Sequence, residues 1–424
     1  MKKHIALLLV VVMTLCIFSG CGSSAGTSDT TSKQPSEQPS EQPSEKSVEP
    51  PKSAENVSIT IWTNFSEEAE LLQKYADLWS KQTGNTAKVT NTSIEVQKFA
   101  QAANTADGPD GIYGIANDQL ATFVAAGLAE ELPSDFYSDD DYVSAAVQAC
   151  YINGKRYGVP IAVETTSLFY NTDKVKSVPK TWDEMLDVAA DNGGIKFDAT
   201  SIYYDLGFLR AFGGYIFKWA DNMYDVNDIG LASEGAIKAY QYIQSMVDAG
   251  FLTSDITYDI ARGAFENGDT AFFIGGPWDV EAFTSADVNF AVAEMPTLNG
   301  NPFITPVGTQ VGFVSSKTEK KDAVLDFYKF LMKEAAVELY EVGSRIPASL
   351  SVQGQIKADD NTLGFMKQIA NGEPLPTVAE LGQLWTPYSD NMKLMFQGTT
   401  KPEEAAKYIV EQFKEGIALM DTSS

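Results

Sequence analysis

From Val57 to Leu419 short apolar strands alternate with amphipathic helices, and this alternation restricts the fold more than any other feature of the chain. Val57, Ile59 and Ile61 alternate as a strand that leads through Trp62-Thr63-Asn64 into a helix. Ser66 is the expected N-cap of that helix, Leu71, Leu72, Tyr75, Leu78 and Trp79 form its apolar stripe, and Gly84 closes it. A strand at Ala87–Thr92, a helix near Glu95–Thr105, a turn at Asp107–Asp110, a strand at Gly111–Ile115 and a helix near Gln119–Ala126 follow. Thr181-Trp182-Asp183-Glu184 is a capping box. Helices are expected at Ser233–Ala249, Ile260–Asn267, Lys320–Tyr340 and Pro402–Leu419, with a strand at Thr270–Ile274. The pattern predicts an α/β protein with parallel sheets covered on both faces.

The N-terminal residues predict the compartment. Lys2 and Lys3 precede an apolar run of 14 residues, Ile5 to Phe18, too short to span a bilayer and of the length of a signal-peptide core. Phe18-Ser19-Gly20-Cys21 resembles a lipobox, which makes residues 1–20 a lipoprotein signal peptide and Cys21 the lipidation site. An ordinary cleaved signal beside an incidental cysteine is the alternative. Residues 21–55 contain three copies of Gln-Pro-Ser-Glu and almost no apolar side chains, the composition of an extended, disordered tether. The membrane is therefore an expected partner through a lipid anchor at Cys21, on the extracellular face.

Three counts exclude other chemistries. His4 is the sole histidine and leaves with the signal, which removes Ser-His-Asp and Cys-His catalysis and histidine-ligated zinc from the mature chain. Cys16 also leaves, so Cys150 stands alone in the folded part and is expected to be a small buried hydrophobe. The formal charge of −26 becomes −28 without Lys2 and Lys3, which disfavours nucleic acid as a partner.

Four stretches carry candidate binding chemistry. In "GKRYGVPIAVETTSLFYN" the carboxylate Glu164 interrupts an apolar strand. It either faces a ligand at a strand end or pairs with Lys155 or Arg156. "GGPWDVEAF" puts Trp278 just after a strand, "LGQLWTPYSDN" sets Trp385 in a turn-rich segment, and "SIYYDLGFLRAFGGYIF" sets Tyr203 and Tyr204 beside Asp205. Each aromatic alone fits core packing; together with a carboxylate they fit a neutral sugar, whose C–H faces pack on rings and whose vicinal hydroxyls donate to an acid.

The motifs "ITIW", "DGPD", "INGKRYGVPIAVETTSLFYN", "KTWDE", "FGGYIFK", "AFENGDTAFFIGGPW" and "MPTLNGNP" occur in the order found in extracellular solute-binding proteins of ABC importers. The chain from Val57 to Leu419 most resembles the maltose/maltodextrin-binding members. The resemblance implies a two-lobe periplasmic-binding-protein-like fold with crossover hinge strands and an interlobe ligand cleft. The N-terminal lobe is expected to hold residues 56–162 and 312–355, the C-terminal lobe 163–311 and 356–424. The resemblance further implies that Glu164 accepts sugar hydroxyls at the first crossover. Trp278, Trp385 and Tyr203 become stacking aromatics, and Asp118 an acidic contact. Asn64 and Glu67, where the first strand passes into the first helix, complete the candidate set.

The chain also departs from that family's pattern. A tryptophan and an arginine are replaced near Gly114 or Ile115 and at Gln119, a basic residue by Glu67, a glutamate by Ser201 and an arginine by Ser389. The expected ligand is thus a malto-oligosaccharide or related neutral oligosaccharide, handed to the permease subunits of an ABC importer by a monomer without a cofactor. The competing readings are an extracellular glycoside hydrolase using Glu164 and Asp118, which would need carboxyls roughly 5–10 Å apart, and a starch adhesin.

Overall fold

Two sheets carry the fold in a computed structural model that describes residues 56–105 and 108–421, all within the unit Glu55–Ser424. The lipobox, Cys21, the tether and Asp107 lie outside the described residues. The strands that matter here are β1 (Ser58–Thr63), β2 (Thr86–Asn91), β3 (Gly111–Ala116), β4 (Val159–Thr165), β5 (Ser167–Asn171), β6 (Ile195–Lys196), β7 (Phe272–Gly275), β8 (Phe290–Ala293), β9 (Thr305–Val314), β10 (Ile346–Pro347) and β11 (Gly372–Glu373). The larger sheet runs β10-β4-β9-β3-β1-β2, with β11 beside β9; the smaller runs β8-β5-β7-β6.

Neither sheet is fully parallel, contrary to the sequence-based expectation. β1 pairs in parallel with β2 and β3, but β9 lies antiparallel to both β3 and β4. The cause is the path of the chain: it leaves the larger sheet on β4, enters the smaller sheet on β5 after Thr166, and returns on β9. A strand that comes back from another layer arrives pointing the other way.

The larger sheet is covered on both faces, as the near-continuous apolar runs require. Ile59, Ile61 and Tyr113 pack against Leu72, Trp79, Phe327 and Tyr328 on one side. Ile112, Ile115 and Phe313 meet Phe99, Leu120 and Phe123 on the other. Gly114, at φ 102°, turns β3 between Tyr113 and Ile115, and the ring of Phe65 fills the space a side chain there would need. The smaller sheet sits in a third cluster with Phe169, Trp182, Phe208, Phe273 and Tyr388.

Most local expectations hold. Gly84 closes its helix at φ 80°, and the Thr181 hydroxyl accepts from the Glu184 amide, but the expected box stays half formed because the Glu184 carboxylate accepts from the Lys180 amide. Cys150 is fully buried and burial pushes its thiol up to about 12. Two expectations need correction. Ser66 does not cap the first helix, which begins at Ala69 after a turn; Glu68 stands at the N-cap without a side-chain cap bond, and its carboxylate accepts from Arg345. The stretch Lys320–Tyr340 is two helices, Lys321–Glu334 and Ala336–Gly343, broken at the fully buried Ala335.

Candidate functional site

β4 and β9 run side by side from one sheet towards the other, and Glu164 lies near the end of β4, opposite Gly308. Gly308 has no Cβ, and one placed there would lie 3.1 Å from both Cγ and Oε1 of Glu164. The glycine therefore gives the carboxylate room beside the strand. Lys155 pairs with Glu131 and Arg156 with Asp139, so neither basic neighbour in sequence engages Glu164. Burial raises the Glu164 carboxyl above its ordinary value, and Arg345, more than 180 residues further on, pulls it back.

Glu164 lines two cavities. One of about 440 Å³ is walled by Asn117, Asp118, Tyr203, Gly308 and Trp385. The other, about 250 Å³, is walled by Pro277, Trp278, Gln310 and Arg345. The carboxylate is thus common to both, with a tryptophan in each. Trp385 is 40 % and Trp278 45 % exposed, unusual for rings of that size and unlike the fully buried Trp79 and Trp182.

Local structure sets each aromatic. Trp278 follows Gly275-Gly276-Pro277, and a Cβ on Gly276 would strike the indole ring at 2.3 Å. Its Nε1 donates to the Tyr258 hydroxyl at 3.0 Å; that hydroxyl donates to the buried Asp279, which also accepts from the Gly276 amide at 3.0 Å. Trp385 opens the helix Trp385–Phe396, anchored below by buried Leu384 and Tyr388. Tyr203, on the helix Ile202–Ala211, is half-buried; burial raises its phenol and the charge of Glu164 raises it further.

The structure brings Glu164, Tyr203, Asp118 and Trp385 to one cavity and Trp278 to the other. Asn64 and Glu67 are exposed at the entry to the first helix and line neither. Asn117 also walls the larger cavity, but its side chain is engaged, accepting from the Thr309 amide at 2.9 Å. Sequence reasoning missed Arg345, Gln310, Tyr258 and Asp279. Only the Gly-Gly-Pro turn hinted at the last two, through the ring it displays.

Residues 71–363 match the family described as bacterial extracellular solute-binding protein. The chain belongs to that family. Among relatives of this solute-binding protein, a galactooligosaccharide-binding protein of Bacillus subtilis (strain 168) is 32% identical over 73% of this chain and 78% of its own length. A maltooligosaccharide ABC transporter solute-binding lipoprotein of Streptococcus pneumoniae (strain ATCC BAA-255 / R6) is 28% identical over 88% of this chain and 92% of its own. The two-lobe fold of this solute-binding protein is similar to that of a cyclo/maltodextrin-binding protein complexed with maltotetraose, with TM-score 0.81 and 26% identity over 86% of this chain and 98% of that one. The extracellular solute-binding protein of Staphylococcus aureus in complex with maltose gives TM-score 0.80 at 26% identity, over 86% and 98% of the two chains.

Proposed function

We propose that this chain is the cell-surface binding component of an ABC sugar importer. It captures maltodextrin-type α-glucan oligosaccharides between its lobes and delivers them to permease subunits. One observation carries the reading: a partly buried carboxylate, Glu164, stands between two cavities that each display an exposed tryptophan. A chain of pyranose rings suits such platforms around an acceptor, with ring faces on Trp385, Tyr203 and Trp278 and vicinal hydroxyls on Glu164. Asp118 is a further acceptor for the same ligand, and Asn64 and Glu67 are outer contacts. The relatives named for maltooligosaccharide and maltotetraose support the α-glucan class.

Lipidation at Cys21 anchors the protein outside the membrane, with residues 21–55 as tether. This agrees with the lipoprotein name of the streptococcal relative. The lobes comprise residues 56–162 with 312–355, and 163–311 with 356–424, and β4 and β9 run through the bounds as hinge strands. Closure of the lobes on the sugar is the binding motion, and the protein acts as a monomer that binds without cutting.

Calorimetric titration against malto-, galacto-, xylo- and manno-oligosaccharides tests the reading. Tightest binding in the malto- series is expected; tighter galacto-oligosaccharide binding would favour the specificity named for the Bacillus relative instead. New reducing ends from incubated maltodextrin, abolished by Glu164→Gln, would establish hydrolysis and overturn the binding-only reading.

A further inference from the structure

Among the described residues lining the two cavities, one cation is present: Arg345. It sits directly after Ser344, a non-glycine residue at φ 52°, and just ahead of β10. Three features hold it there. Its Nε donates to Glu68 Oε1 at 2.5 Å. Its guanidinium lies 4.4 Å from the centre of the Phe65 ring, the same ring that fills the space beside Gly114. Gly343 admits the Glu68 carboxylate, since a Cβ there would sit 1.9 Å from Glu68 Oε1.

That construction is costly if it serves packing alone. Glu68 is 1 % exposed, and its Oε2 has no hydrogen-bond partner among the described residues. A half-satisfied buried carboxylate destabilises a fold unless something is gained elsewhere. Arg345 is 36 % exposed, faces the smaller cavity, and among the described residues bonds through Nε only, which leaves both Nη groups as donors toward the cavity. The cavity wall otherwise offers Glu164, which only accepts when ionised, and two neutral groups that both donate and accept, the amide of Gln310 and the hydroxyl of Ser344. A sugar hydroxyl donates one hydrogen bond and accepts two, and Arg345 is the one charged donor among the described residues of this wall, so it supplies the stronger bonds to hydroxyl oxygens.

We propose that Arg345 is a specificity-determining ligand contact. Its Nη groups donate to hydroxyl oxygens of the sugar unit lying against Trp278, while the hydroxyls of that unit donate to Glu164. Glu68 is a positioning residue that acts through Arg345. This rests on the reading of the cleft as an oligosaccharide site and deepens it. The unit in the smaller cavity is recognised by a donor and an acceptor together, which selects a ring carrying adjacent free hydroxyls.

The test titrates the full-length chain, Arg345→Met, Arg345→Lys and Glu68→Gln with maltotriose and its monodeoxy derivatives, with thermal melting in parallel. Arg345→Met is expected to weaken maltotriose binding about tenfold to a hundredfold, the range for a lost charge-assisted hydrogen bond. Arg345→Lys and Glu68→Gln should lie between it and the parent. A monodeoxy sugar that binds the parent about tenfold worse should bind Arg345→Met almost as well as maltotriose does, because the partner of that hydroxyl is already gone. A purely structural ion pair cannot produce that coupling. Maltotriose affinity within twofold of the parent in Arg345→Met, or equal deoxy penalties in both proteins, overturns the proposal while leaving the function intact. Should Arg345→Met fail to melt cooperatively, the deoxy comparison is made on Arg345→Lys, which keeps the charge but loses the fork, and the same criteria apply. Absence of binding by the parent to the whole oligosaccharide panel overturns the functional reading itself.

Discussion

Tyr388 donates a 2.9 Å hydrogen bond to Asp205, and this fully buried contact ties the helix that begins with Trp385 to the helix that carries Tyr203. Two of the rings proposed to hold sugar thus share one internal strut. The Oδ1 atom of Asp205 has no hydrogen-bond partner among the described residues, and burial pushes its carboxyl well above the usual carboxylate range, with the Tyr388 hydroxyl pulling it back. Because the folded state holds that proton more firmly than the unfolded chain, Asp205 makes stability rise as pH falls. The rise begins at the elevated folded value and ends at the ordinary one. Urea unfolding at a series of pH values should show Asp205→Asn losing that rise while remaining at least as stable as the parent near neutrality. Asp205→Ala, which strands the Tyr388 hydroxyl, should cost about 1–3 kcal/mol.

Trp278 and Trp385 are half exposed and contribute little to the core. Replacing either with alanine should lower maltotriose affinity by roughly 1–3 kcal/mol, as anchor aromatics do, with the melting temperature hardly changed. Calorimetry and thermal melts on the same preparations check both halves. Unchanged binding in both variants would remove the cleft assignment.

The Trp278 ring is steered by Tyr258, which links it to Asp279. Tyr258→Phe should weaken binding by about 0.5–1.5 kcal/mol, the worth of an ordinary hydrogen bond, and should add nothing in a Trp278→Ala background. A double-mutant cycle on affinity measures this, and additive losses would assign Tyr258 some other role.

In the proposed function Glu164 accepts hydroxyls as a carboxylate; burial raises its carboxyl against the pull of Arg345, and Tyr203 and Asp118 line the larger of its two cavities. Its proton therefore returns at a higher pH than that of an ordinary glutamate. Affinity should fall on acidification, starting above the usual carboxylate range, while the same protonation slightly favours the folded state. Titrations of maltotriose between neutral and mildly acidic pH should show the loss, and Glu164→Gln should bind weakly with a flat profile.

Elements with a strong local signal were legible in the sequence. The glycine stop at Gly84, the box at Thr181–Glu184 and the helix stripes with buried Leu72, Tyr75 and Trp79 depend on neighbours a few residues away. The apolar run and the lipobox are local in the same way, and they belong to residues outside the described structure. Of the candidate set, the fold gathers Glu164, Tyr203, Asp118, Trp278 and Trp385 around two cavities that share Glu164, while Asn64 and Glu67 line neither.

What only the tertiary structure decided are the pairs between distant parts of the chain. Strand direction was one, since crossing between sheets, and not any local pattern, turns β9 antiparallel to β4. The partner of Glu164 was another: Lys155 and Arg156 were the nearest cations in sequence, yet Arg345 is the one that acts on it. Glu68 and Arg345 stand 277 positions apart, and Asp205 and Tyr388 183. Periodicity is written over a few residues, whereas a buried charge finds its counterpart only where the folded backbone brings the two together.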